Sequence, residues 1–190
     1  SITDYSHLTM INSKVENNKN YGIYISSGSS TPSTITDSTI SGNTPGLCIE
    51  SNPTVIGGNT VISGNHSVGN PGGVYIRGAS VTIKDNVKII RNMSGTGSRT
   101  YPGSGGGVYL NSKVYGSELT LAGNVEITGN TDSDGNQSNL GIYHSTSKDK
   151  LMTVNSGFRG KVGIHAIDGL LPKSGKPTNI AAGNFVNNFF

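Results

Sequence analysis

Three short phrases recur in one fixed order along the chain, and this recurrence limits the possible fold more than any other feature. The first phrase is apolar–Thr–apolar, as in Leu8-Thr9-Met10, Val81-Thr82-Ile83, Leu119-Thr120-Leu121 and Met152-Thr153-Val154, with Thr34-Ile35 and Thr54-Val55 as shorter copies. The second ends in Asn: Ile40-Ser41-Gly42-Asn43, Ile62-Ser63-Gly64-Asn65, Ile89-Ile90-Arg91-Asn92 and Ile127-Thr128-Gly129-Asn130. The third opens on Gly: Gly22-Ile23-Tyr24-Ile25, Gly46-Leu47-Cys48-Ile49, Gly73-Val74-Tyr75-Ile76, Gly107-Val108-Tyr109-Leu110 and Gly141-Ile142-Tyr143-His144. The central residues of this third phrase follow one another at 24, 27, 34 and 34 positions.

Each phrase alternates with the period of two that marks a half-buried strand. Each is bounded by Gly or Asn, which accept the left-handed backbone of a sharp corner. Three strands and three corners in roughly two dozen residues make one coil of a three-sided solenoid, and stacked coils pair each strand with its own copy in parallel, about 4.8 Å away. An antiparallel sandwich has no reason to repeat one strand triplet with matched residue types. The expected fold is therefore all-β: a single-stranded parallel β-helix with three strands per coil and about five to six coils. It is expected over residues 1–167, with 168–190 as a cap or tail outside the repeat. That tail holds Phe185, Phe189 and Phe190, three of the four Phe, and suits contact with an adjoining domain or end-to-end assembly with another copy.

Composition agrees. Gly, Ser, Asn and Thr make up 92 of the 190 residues, and these types disfavour helix interiors. A disordered chain this poor in apolar residues usually carries a high net charge, whereas this one is only +3. Residues 150–190 carry +4 and the remainder −1, with no basic stripe among aromatics, so nucleic acid is not an expected partner. No apolar run has the length of a membrane span. Cys48 is the single cysteine, which excludes an internal disulfide and a Cys-based metal site. The chain opens at Ser1 without a leader-like segment, which reads as a mature chain or an excised piece.

The phrases Val81-Thr82-Ile83, Asn86-Val87, Asn92 and Gly106-Gly107-Val108-Tyr109-Leu110, repeated as Leu119-Thr120-Leu121, Asn124-Val125 and Asn130, resemble the right-handed parallel β-helix of the pectate-lyase-like superfamily. They are most similar to repeat regions of bacterial surface proteins of the adhesin and polymorphic outer-membrane types. The resemblance covers about residues 8–165 and supplies the handedness. It implies an extracellular or bacterial cell-surface location and leaves activity open, because lyases, hydrolases, adhesins and inert spacers share this fold.

Alternation sorts the faces. Ile40, Ile62, Ile89 and Ile127 are expected to stack inside. Thr9, Thr34, Thr54, Thr82, Thr120 and Thr153 are expected to line one outer face. Tyr24, Cys48, Tyr75, Tyr109 and Tyr143 are expected to form an outward column on another, exposed and suited to sugar rings or a protein surface. Asn43, Asn65, Asn92 and Asn130 recur at one corner, where their amides would bond coil to coil as a structural ladder.

The corner between the second and third phrases varies most, with twelve residues at 93–104 and nine at 131–139. Arg99 and Tyr101 on the first loop, and Asp132 and Asp134 on the second, join Tyr75, Tyr109 and Tyr143 as candidate ligand-binding residues, since function gathers on loops held by a rigid scaffold. Asp132-Ser133-Asp134-Gly135-Asn136 resembles half a calcium loop, but its glycine comes early and Tyr143 stands where a bidentate Glu is needed, so a polar turn is the better reading and calcium a weaker one. No other cofactor is indicated. The eleven acids form no catalytic cluster: Asp37 and Asp85 match in register, but Gly57 and Gly123 take that place in the adjoining coils. No catalytic residue is assigned, and an enzyme is the less favoured reading. The expected function is a secreted or cell-surface module for adhesion through glycan or host-surface contact. The alternatives are a spacer or filament subunit, and a fragment of a polysaccharide-active lyase or glycosidase.

Overall fold

A computed structural model of the chain describes residues 1, 3–69, 71–95, 105–112, 116–143, 152–166 and 182–183. Three parallel sheets run along the molecule. The first holds β1 (Thr9–Ile11), β4 (Ser33–Thr36), β7 (Thr54–Gly57), β10 (Ser80–Ile83), β13 (Glu118–Leu121), β16 (Met152–Val154) and β19 (Ala182–Gly183). The second holds β2 (Lys14–Glu16), β5 (Thr39–Ser41), β8 (Val61–Ser63), β11 (Lys88–Ile90), β14 (Glu126–Thr128) and β17 (Lys161–Val162). The third holds β3 (Ile23–Ser26), β6 (Leu47–Glu50), β9 (Val74–Arg77), β12 (Val108–Asn111), β15 (Leu140–Tyr143) and β18 (Ile164–Ala166). Every third strand pairs with the strand of the preceding coil, as a three-sided parallel β-helix requires. Among the described residues there are six complete coils, and β19 pairs onto the sixth, Ala182 with Thr153 and Gly183 with Val154.

The core is a stack of aliphatic side chains. Ile40, Ile62, Ile89 and Ile127 are paired in sequence across the second sheet and fully buried. Ile35, Ile56, Ile83 and Leu121 do the same from the first sheet, and Ile25, Ile49, Ile76, Leu110 and Ile142 from the third. Each coil thus buries a few branched side chains between identical neighbours, which is how a chain so poor in apolar residues encloses a dry interior. On the solvent side of the second sheet Lys88 and Glu126 are paired across the strands, with Nζ 3.6 Å from the carboxylate.

The register corrects one member of the expected threonine column. Thr34 pairs with Val55, and Val55 with Thr82, so Val55 faces outward in the third coil. Thr54 points inward, is buried, and donates its hydroxyl to the Asn52 carbonyl. A Thr tolerates this position because a local backbone acceptor satisfies its hydroxyl.

Two corners are built from columns of left-handed residues. After the first sheet come Asn12, Asp37, Gly58, Asp85 and Gly123, with φ from +45° to +73°. The glycine in register with Asp37 and Asp85 is therefore Gly58, one residue beyond the expected Gly57. The two carboxylates here serve the corner: Asp85 accepts from the Gly58 N–H at 2.9 Å and Asp37 from the Asn59 N–H at 2.9 Å. After the second sheet come Asn17, Gly42, Gly64, Arg91 and Gly129. Arg91, with φ +55°, is the one long side chain in a column otherwise made of Gly and Asn. A non-glycine residue in this region costs about 1–2 kcal/mol, partly offset by the greater freedom a glycine loses on folding. Arg91→Gly is accordingly expected to raise stability by about 0.5–1 kcal/mol, measured as a higher urea midpoint at unchanged slope.

Candidate functional site

The corner that leads into the third sheet carries the asparagine ladder. Asn18, Asn43, Asn65 and Asn92 each donate their backbone N–H and their side-chain Nδ2 to the Oδ1 of the next rung, at 2.7–3.1 Å. The second amide proton goes to a carbonyl of the coil below: Val15 for Asn43, Ile40 for Asn65, Ile62 for Asn92 and Ile89 for Asn130. Asn43, Asn65, Asn92 and Asn130 are essentially inaccessible, so these bonds replace water completely at a buried corner.

The ladder ends on a residue that the repeat alone does not reveal. Asn130 donates to Asn139 Oδ1 at 2.9 and 3.1 Å. Asn139 lies only nine residues on and stands in register with Gly107, because Leu140 pairs with Val108. This register also corrects the fifth coil. Gly141, not Tyr143, pairs with Tyr109, and Tyr143 pairs with Asn111. The Gly-Ile-Tyr phrase at 141–143 copies the earlier ones in type but sits two positions further along. The outward column is therefore Tyr24, Cys48, Tyr75, Tyr109 and Gly141.

That column points away from the main core, as alternation requires, but it is not exposed. Tyr75 is 3% and Tyr109 0% accessible, and Cys48 is buried beside them. The Tyr75 and Tyr109 rings stack at 5.6 Å with a 46° tilt, and the Asn111 amide donates to the Tyr75 hydroxyl at 3.3 Å. Tyr21, Tyr24 and half-buried Tyr143 pack against this second apolar cluster. Burial pushes the Cys48 thiol up to about 12, with a smaller push from the Glu50 charge, so it is a packing group in its neutral form. Buried rings present no face to a ligand, and Tyr75 and Tyr109 are withdrawn as contact residues.

The two long loops begin side by side: His66, Met93 and Thr131 are bridged in parallel, one per coil. Arg99 and Tyr101 lie outside the described residues. Asp132 folds back on its own turn. Its Oδ1 accepts the N–H groups of Asp134 and Asn136 at 2.9 and 2.8 Å, and its Oδ2 the Asn136 amide at 3.1 Å. Both Asp132 carboxylate oxygens are thus engaged in closing the turn, and among the described residues no three His, Cys, Asp or Glu gather to hold a metal.

In the first coil the aromatic column is partly accessible. Tyr21 and Tyr24, both half-buried, place their ring centroids 5.3 Å apart at 45°. With Ser1, Asn20 and Gly22 they line a shallow pocket of about 290 Å³. The Tyr24 hydroxyl donates to Glu50 Oε2 at 2.7 Å, and Arg77 holds Glu50 Oε1 at 2.8 Å from the coil above. Glu50, and to a lesser degree burial, raises the Tyr24 phenol above its ordinary value. Sequence reasoning named Tyr24 as part of the column but not Tyr21, Asn20 or Glu50. The one available signal was Tyr21-Gly22-Ile23-Tyr24, a doubled tyrosine at the head of the series.

The coils are stacked in parallel, and the family model for a right-handed β-helix region matches residues 1–171. The chain belongs to that family. Its coils are accordingly right-handed. No curated protein and no solved structure matches the chain significantly. Among the described residues, no helix is long and apolar enough to cross a membrane.

Proposed function

We propose that this right-handed β-helix is a glycan-binding module, secreted or displayed at a cell surface, and that it takes a sugar ring at the Tyr21/Tyr24 pocket. The observation that carries the reading is the tilted, half-buried tyrosine pair at the first-coil end of the aromatic column, opening on a pocket edged by Asn20. A pyranose has an apolar face and a rim of hydroxyls. A tyrosine ring beside amide and hydroxyl groups matches both, and a concave site with few polar groups is the usual form of a small-ligand pocket. The rigid solenoid holds the platform in place, so little ordering is needed on binding.

Tyr24→Ala is expected to weaken glycan binding about tenfold or more, read by titrating the protein with glycans selected on an array. Thr120→Ala, on the first sheet and away from this pocket, is expected to leave affinity unchanged. Equal affinity in Tyr24→Ala and the parent protein would remove the pocket from consideration.

A further inference from the structure

Glu50 sits behind the platform and determines what the Tyr24 hydroxyl offers a ligand. A carboxylate has no proton to give, so in the 2.7 Å contact Tyr24 is the donor and Glu50 Oε2 the acceptor. The phenol proton is thereby committed, and the Tyr24 oxygen retains only lone pairs. Arg77 fixes the same carboxylate from the far side, at 2.8 Å to Oε1, while Glu50 itself is largely covered. The arrangement spans three coils, because Ser26, Glu50 and Arg77 are paired in register and Tyr24 lies two residues before Ser26. On the opposite rim the Asn20 Oδ1 accepts the Tyr21 N–H at 3.2 Å.

Resting on the glycan reading above, we infer that Glu50 is a positioning residue that makes the pocket select neutral sugars, whose hydroxyls donate hydrogen bonds, over sugars carrying a carboxylate. A neutral hydroxyl can donate to the Tyr24 oxygen while its ring covers the aromatic face. A uronate brings an acceptor to an acceptor, and the charge nearest the Tyr24 oxygen is Glu50, with Arg77 held beyond it as a partial offset; like-charge juxtaposition is a means of rejection. Glu50→Gln keeps an oxygen for the Tyr24 hydroxyl but removes the charge and permits the hydroxyl to turn, so discrimination falls while the fold is retained.

The test uses matched methyl glycosides: glucose with glucuronate, galactose with galacturonate, mannose with mannuronate. Each is titrated into the full chain while the Tyr21 and Tyr24 ring resonances are followed by NMR. The neutral member of at least one pair is expected to shift both rings, and its uronate to bind about tenfold or more weakly. Glu50→Gln is expected to reduce that ratio, and its Tyr24 phenol to ionise at lower pH than in the parent protein. A uronate that binds as well as its neutral partner, or a ratio unchanged in Glu50→Gln, overturns the inference while leaving a glycan site in place. If no sugar of the set moves either ring, the glycan reading itself fails, and the inference with it.

Discussion

Replacing Asn92 by Ala is expected to remove about 4 kcal/mol of stability, a large share of what holds a domain of this size folded. Four side-chain hydrogen bonds disappear together. Asn92 Oδ1 accepts from Asn65 N and Nδ2 at 3.0 and 2.9 Å, and Asn92 Nδ2 donates to the Ile62 carbonyl and Asn130 Oδ1 at 3.0 and 2.9 Å. The partners stay where they are, because Asn65 and Asn130 are pinned by their own bonds to neighbouring coils. The Asn65 N–H and one Asn65 amide proton are left buried without a partner, while the Ile62 carbonyl, inside the β8–β11 ladder, loses only its side-chain donor. Each such orphan costs about 1–3 kcal/mol, reduced where a water enters the space vacated. A second asparagine series supplies the comparison. Asn59, Asn86 and Asn124 also bond coil to coil, Asn124 Nδ2 reaching Asn86 Oδ1 at 3.0 Å, but on the exposed side of another corner. There water replaces the lost partner, and Asn124→Ala is expected to cost only about 0.5–1 kcal/mol. Urea unfolding of both variants separates the cases; similar losses in the two would mean that burial of the inner ladder is not what gives it weight.

Gly46→Ala is expected to cost about 3 kcal/mol, lowering the melting temperature by roughly 6–12 °C for a chain of this length. The reason is space. Gly46 opens β6 and lies directly against the ladder, and a Cβ there would stand 2.7 Å from the Gly73 carbonyl and 2.8 Å from Asn65 Cγ. The first of these is backbone of the next coil and the second is a buried, fully bonded amide, so neither moves cheaply. Relief would mean parting two strands joined by the 2.9 Å bonds from Gly46 N to Gly72 O and from Leu47 N to Gly73 O. Gly64 has the opposite problem: its φ is +62°, but nothing lies within 4 Å of an added Cβ. Gly64→Ala therefore meets only the backbone preference, net of the freedom a glycine loses on folding, at about 0.5–1 kcal/mol. A melt in which Gly46→Ala unfolds no earlier than Gly64→Ala would refute the close-packing account.

These two residues show how legible the fold was. The phrases alone mark Asn at one corner and Gly at the head of the third strand, and both recur because one packs on the other in every coil. The sequence shows that the two columns exist; contact between them needs coordinates. The fifth coil shows the limit of reading by likeness. Gly141-Ile142-Tyr143 copies the earlier phrases, yet Leu140 takes the Val108 position, because pairing is fixed by which side chains fill the core and the ladder, not by the resemblance of a tripeptide. Asn139 then occupies the glycine column and ends the ladder. Thr54 misled for a related reason: Thr54-Val55 fits either face, and the buried Asn52 carbonyl beside it decided.

The candidate site was less legible than the fold. Alternation correctly turned Tyr75 and Tyr109 away from the main core, but direction is not exposure. An outward residue is wet or dry according to what other parts of the chain lie over it, and no local period records that. A parallel β-helix, its three faces and its two recurring corner residues can be read from the residues alone, because they follow from short-range periodicity repeated coil after coil. Stacking of the coils makes the tyrosine column a second buried cluster, leaves Tyr21 and Tyr24 half-buried at its first-coil end, and brings Glu50 to Tyr24 from the neighbouring coil. Those contacts join residues more than twenty positions apart, and their strength depends on burial, which belongs to the assembled coils and to no single one of them.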